Sequence, residues 1–140
     1  MADSGCKVTV AAQAVPPNTN TPVSFTAAVW DNAAMPFYFN PMTPNVVTCA
    51  NAGKYHCTVA FTFPQVPADA TFYVYILVNG IQVLPWTQFQ PGGKGPLADT
   101  AGDSFDVPAN GTVAAQLVYQ TAGAPPNINV AVSLSVIPGP

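Results

Sequence analysis

Along residues 53–63, GKYHCTVAFTF, apolar side chains take every second position: Tyr55, Cys57, Val59, Phe61 and Phe63, with Lys54, His56, Thr58, Ala60 and Thr62 between them. Side chains on a strand alternate faces, so this period of two predicts a β-strand with one large apolar face turned to a core. The other face is the more informative. Thr58, Ala60 and Thr62 are short and uncharged, whereas a solvated face ordinarily carries Lys and Glu, and this face is therefore expected to pack against something. Residues 127–137 repeat the arrangement. Ile128, Val130, Val132, Leu134 and Val136 form the apolar set, and Asn129, Ala131, Ser133 and Ser135 form the short, uncharged one.

The other runs also read as strands. Residues 6–15 place Val8, Val10 and Ala12 on one face and Lys7, Thr9 and Ala11 on the other. Pro16-Pro17-Asn18 ends that run, because proline cannot donate to a ladder. Residues 22–30 alternate Val23, Phe25, Ala27 and Val29 with Ser24, Thr26 and Ala28, before a turn at Asp31-Asn32. The stretch 35–44, MPFYFNPMTP, sets prolines among aromatics, which suits an extended edge segment or an ordered loop. A short strand at 45–49 leads into the 53–63 strand. Between 71 and 83, TFYVYILVNGIQV, the Asn79-Gly80 pair predicts a two-residue hairpin turn, since both turn positions need positive φ. Residues 90–97 predict a loop and 98–107 a short, irregular strand. Asn110-Gly111 predicts a turn before a strand at 112–120, and Pro125-Pro126 a break before the last strand. No segment carries a helical period, and sixteen prolines oppose long helices. The expected fold is all-β: a single-domain jelly-roll β-sandwich of about 8–10 short antiparallel strands.

Charge narrows the range of functions. In 140 residues there are three lysines, no arginine, six aspartates and no glutamate, giving 6% charged residues and a formal net charge of −3. A soluble domain has about a quarter of its residues charged. The surface must therefore consist of amides, hydroxyls, proline and apolar groups, which are cheap to bury against other protein. Nucleic acid is excluded as a partner, because neutralising phosphates needs a basic patch. No run approaches the roughly 18 apolar residues of a membrane span, and MADSGCKVTV shows no basic-then-apolar secretory signal. Cytosolic synthesis is thus expected, with Cys6, Cys49 and Cys57 as buried free thiols.

Where GKYHCTVAFTF follows Val46-Val47-Thr48-Cys49, and VYILVNGIQV follows in turn, the chain resembles the jelly roll of tumour-necrosis-factor ligands and complement globular heads. In that superfamily a short strand leads through a Gly-x-Tyr start into a long central strand, followed by an aliphatic hairpin. A Gly-Asp step then precedes a strand, for which Gly102-Asp103 is the match, and the chain closes on an apolar strand beside the first. The family's C-terminal aromatic is replaced here by Ile137-Pro138-Gly139-Pro140. The resemblance implies a compact homotrimer whose threefold axis is faced by the sheet holding the first, central and last strands. The interface residues it suggests are His56, Thr58, Ala60, Thr62, Asn129, Ala131, Ser133 and Ser135.

Chemistry-bearing groups are sparse. His56 is the only histidine, and strand alternation separates it from Cys57; zinc-site spacings are missing, so no metal site or cofactor is expected. Ser104, beside Asp103 and Asp106, has no base partner visible in the sequence. Asp99, Asp103 and Asp106 in DTAGDSFD do not follow a calcium-loop spacing and read as solvated turn residues. PGGKGP lacks the phosphate-loop frame, and Asn110-Gly111-Thr112 fits a glycosylation sequon but reads as a turn. Phe37, Tyr38 and Phe39 suit either a binding surface or the core.

The expected function is therefore structural and not enzymatic. A charge-poor, proline-rich trimer made without an export signal fits a bacteriophage virion component assembled in the host cytoplasm. In that role it would be a capsid cement or decoration protein whose partners are itself and a major capsid or other virion protein. The alternative is a receptor-binding or fibre-knob module recognising a host glycan or protein.

Overall fold

The computed structural model describes residues 5–31, 38–40, 42–64, 70–90, 97–121 and 127–139. Ten strands form in them: β1 (Cys6–Val15), β2 (Thr21–Pro22), β3 (Ala27–Asp31), β4 (Val47–Cys49), β5 (Gly53–Phe63), β6 (Ala70–Val78), β7 (Ile81–Gln90), β8 (Leu97–Val107), β9 (Gly111–Gln120) and β10 (Ile128–Pro138). The pairings between them are antiparallel, and the described residues contain no helix. One sheet, here sheet A, runs β3-β1-β10-β5-β8. The other, sheet B, runs β2-β9-β6-β7, and β4 joins β2 on the free edge of β9. The first, last and 53–63 strands are thus neighbours in one sheet, although β5 is second from an edge and not central.

Between the sheets lies the apolar set that the period of two marks out. Tyr55, Cys57, Val59, Phe61 and Phe63 of β5 are buried, as are Ile128, Val130, Val132, Leu134 and Val136 of β10. From sheet B, Phe72, Val74 and Ile76 of β6 and Val113, Leu117 and Tyr119 of β9 close the core. An aromatic line crosses it. The Phe63 and Phe72 rings are 4.6 Å apart, and Phe72 stacks on Tyr119 at 6.0 Å. Such pairs add about 0.5–1.5 kcal/mol each beyond area burial. Tyr38 and Phe39 are also buried and Tyr38 meets Tyr55 edge-on at 6.5 Å, which assigns both to packing; Phe37 lies outside the described residues.

Asn79 and Gly80 have φ of 51° and 80°, so the hairpin turn takes the left-handed backbone that this dipeptide favours. The tip is fastened to β9: the Asn79 backbone N–H donates to the Thr112 carbonyl and the Thr112 N–H to Asn79 Oδ1, both at 2.9 Å. Asn18, also left-handed, closes the other end. Its side chain donates to the Thr121 carbonyl and accepts from the Thr121 N–H, at 3.1 and 3.0 Å. Gly5 (φ 92°) permits a close approach to β10 that a Cβ would block by meeting the Val136 carbonyl.

Several expectations need correction. In β1 the chain advances from Val10 to Gln13 while its partner moves only from Val132 to Val130. This bulge flips the alternation, so that Ala12 is exposed and Val15 returns to the core. Residues 22–30 are not one strand. Val23 and Phe25 are buried, but the segment crosses from the edge of sheet B to the edge of sheet A, leaving Ala27 and Val29 exposed, Val29 by 57%. Residues 97–107 form a long, regular strand, each opposite a residue of β5 from Leu97↔Phe63 to Val107↔Gly53. DTAGDSFD is consequently strand and not turn, and Gly102-Asp103 lies inside a strand and not before one. Residues 91–96 of the expected loop lie outside the described residues, while Gln90 and Leu97 at its ends are in strands.

Candidate functional site

The outward face of sheet A gathers the short side chains of four strands. Antiparallel register sets Thr9, Ser133, Ala60 and Thr100 in one row across β1, β10, β5 and β8, and Lys7, Ser135, Thr58 and Gly102 in the next. Ala131, Thr62 and Ala98 continue the face beyond. Because no long side chain rises from the middle of this surface, it dips into a shallow depression of about 450 Å³, lined in part by Thr9, Ala60, Thr62, Thr100, Ala131 and Ser133. Thr9 is held flat by donating its hydroxyl to the Val132 carbonyl at 3.2 Å. Gly102 is required where it stands. A Cβ there would lie 2.8 Å from the Cys57 carbonyl and from Thr58 Oγ1, so a side chain would push β8 off β5.

Polarity is graded along this face. At one end Ile137, His56 and Ser104 share a row, and Lys54 stands opposite Asp106. The depression occupies the other end, where Asp99 is the charged residue in its lining. The structure thus brings Thr58, Ala60, Thr62, Ala131, Ser133 and Ser135 onto one surface with His56 at its polar end. Asn129 sits at the margin, opposite Ala14 of β1 and past the stretch of β10 paired with β5. Thr100, Gly102 and Ala98 belong to the same surface and were not expected there, since no alternation in DTAGDSFD marks a face.

One pairing is invisible in the sequence. Ser104 does have a base opposite it: His56 Nδ1 lies 3.4 Å from Ser104 Oγ. The register of β5 and β8 creates this contact across 48 positions of chain. At that distance the bond is long for a hydroxyl donor, both groups are exposed, and among the described residues no acid contacts the imidazole to orient it. The pair is a surface contact and not an activated nucleophile.

The aspartates do not converge. Asp99 and Asp103 share a face of β8 with Ala101 and Phe105, and Asp106 is on the opposite one. Each of the first two carboxylates accepts the backbone N–H of the next residue, Thr100 at 2.7 Å and Ser104 at 2.8 Å. No cluster of His, Cys, Asp or Glu able to hold a metal ion occurs among the described residues. Cys57 points into the core behind His56, and burial pushes its thiol up to about 12, so it is an inert, neutral thiol at physiological pH. Cys6 and Cys49 are likewise buried. The Tyr119 phenol is also pushed up by burial.

On the other side of the sandwich, the outward face of β6 presents Tyr73 and Tyr75, whose rings run parallel within 7° at 6.2 Å. Gln116 of β9 and Pro85 of β7 flank Tyr75.

Neither a protein-family model nor a curated protein sequence matches this chain. Among solved structures it is similar to the globular domain of zebrafish complement 1qA, with a TM-score of 0.69 over 97% of this chain and 97% of that one, at 15% identity. It is also similar to the Eiger TNF from S. frugiperda, with a TM-score of 0.59 over 98% of this chain and 95% of the other, at 11% identity. With two antiparallel sheets in this strand order, the chain has the jelly-roll fold of the complement globular heads and tumour-necrosis-factor ligands.

Proposed function

We propose that this chain is a non-enzymatic, homotrimeric docking module that serves as a structural component of a virus particle, a capsid cement or decoration protein. The observation that carries the self-association is the outward face of sheet A, where Thr9, Ala60, Thr62, Thr100, Ala131 and Ser133 line a concave surface of short side chains between β1 and β8, with Asp99 the charged residue in that lining. Three such faces can approach an axis closely. Burying the middle of these faces costs hydroxyl desolvation, with Lys7 in the neighbouring row and Lys54 and Asp106 at the polar end the charged groups brought near the axis, and an obligate interface of about 2,000 Å² or more is then within reach. The resemblance to the threefold jelly rolls supports the same arrangement. The virion role rests on the scarcity of charge, by analogy and not from the fold, which does not specify function.

Light scattering is expected to return three times the 14.5 kDa chain mass. Ala60→Arg would set three like charges near the axis and split the assembly, whereas on a solvated face it would change stability by only about 0.5 kcal/mol. A monomer at micromolar concentration, or an Ala60→Arg protein with unchanged mass, overturns the threefold reading. A second reading, a receptor-binding head, is favoured by the tyrosine pair on sheet B.

A further inference from the structure

Charge is distributed unevenly between the two sheets. Among the described residues Lys7 is on β1, Asp31 on β3, Lys54 on β5, and Asp99, Asp103 and Asp106 on β8, all strands of sheet A. The strands of sheet B, β2, β4, β6, β7 and β9, carry no charged residue. Among the described residues the outward face of β6 is therefore neutral, with Tyr73 and Tyr75 half-buried on it, Gln116 beside Tyr75, and the buried Val118 beside Tyr73.

We propose that this face, at Tyr73, Tyr75 and Gln116, binds a neutral carbohydrate. The parallel rings hold each other in place, so they are presented without the ordering cost that a mobile side chain would incur on binding. A sugar ring has a face of polarised C–H bonds that complements the negative face of an aromatic ring, and hydroxyls at its rim that both donate and accept. The tyrosine hydroxyls and the Gln116 amide supply the matching donors and acceptors, and among the described residues none of these three side chains makes a hydrogen bond within the chain. An anionic or cationic ligand would lose hydration here with no opposite charge among the described residues of this sheet to replace it. Tyrosine also anchors protein interfaces, but the most exposed large apolar side chains that could extend such an anchor, Met42 and Ile81, lie in the 42–46 turn and at the hairpin tip.

This site deepens the receptor-binding reading, and it lies on a single chain, on the sheet opposite the proposed threefold surface. Sugar binding and self-association can therefore fail separately. The test titrates the full chain with maltohexaose, cellohexaose and a sialylated oligosaccharide, up to about 10 mM, following ¹H–¹⁵N shifts; that range reaches the millimolar affinity of a weak single site. A saturable response to a neutral probe is expected, centred on β6 and β9. Tyr75→Ala should weaken it about tenfold, the effect of losing one stacked ring, and Tyr75→Phe, which keeps the ring, should weaken it less, with both variants retaining the wild-type melting temperature. Response to none of the probes, preference for the sialylated one, or binding unmoved by Tyr75→Ala and by Tyr73→Ala overturns the proposal. A concentration-dependent mass increase lost with these tyrosines would overturn it in favour of a second copy of the chain on this face. If the light-scattering mass is a single chain and the neutral sugar still binds, the threefold reading fails and this one stands.

Discussion

Cys57 shows how a single position serves the sandwich. Its side chain is fully buried on the core face of β5, while its neighbour His56 is exposed on the outward face. Alternation alone assigns the two to different environments, and the burial that makes cysteine a small hydrophobe also suppresses its reactivity. Under denaturant, thiol titration should count three per chain and the native protein should react far more slowly; a count of one would mean an internal disulfide. A pH dependence follows. The folded thiol is held up to about 12, against 9.0 for an unperturbed one, so the folded state binds this proton more tightly. That contribution to stability is fully present below about pH 9 and is lost as pH climbs toward about 12. Denaturant midpoints of the native sequence should fall more steeply between pH 8 and 11 than those of Cys57→Val, and parallel curves would contradict the assignment. Not every face could be read from alternation. Ala12, Ala27 and Val29 are exposed because one extra residue in β1, and a change of sheet after Phe25, reset the parity.

At the scale of elements, β8 departs furthest from its sequence signal. DTAGDSFD has no clean alternation, yet it pairs along the whole of β5. It is an edge strand, and much of its core-side face is open, so it need not be apolar to be paired; the ladder to β5 holds it. Asp99 and Asp103 are on that core-side face beside Ala101 and Phe105. Inward-facing charge on an edge strand discourages another chain from extending the sheet. Replacing both, Asp99→Val with Asp103→Val, should leave the melting temperature within a few degrees while producing concentration-dependent aggregation, seen as rising light scattering. Unchanged solubility would show that the edge is protected in another way. The β6–β7 hairpin is the opposite case. Asn79-Gly80 specifies its turn locally, and the structure adds the fastening of that turn to Thr112 and a register shift between Ile76 and Leu77.

For the whole molecule, the separation of charge between the sheets bears most directly on function. With sheet A turned inward in the proposed trimer, the uncharged faces of sheet B would point outward three times over. Linked contacts then gain avidity of about 10²- to 10⁴-fold without any tighter single contact. Attachment of so charge-poor a trimer to a particle would rely on apolar burial and hydrogen bonds, which salt screens little. Particles carrying the protein should accordingly withstand higher temperature than particles lacking it, and keep it in molar salt. Equal disruption temperatures, with only a few copies at a tail or fibre tip, would defeat the cement role and leave the receptor-binding head. The sequence by itself determined the all-β class, the two faces of β5 and β10 and the hairpin turn, because a period of two and an Asn-Gly turn follow from local backbone sterics. Only the tertiary structure decided that His56 meets Ser104, that β8 completes the short-residue face, that β1 bulges, and that every charge among the described residues falls on one sheet. Those depend on which strands pair and in what register, and register is set by contacts between residues far apart in the chain.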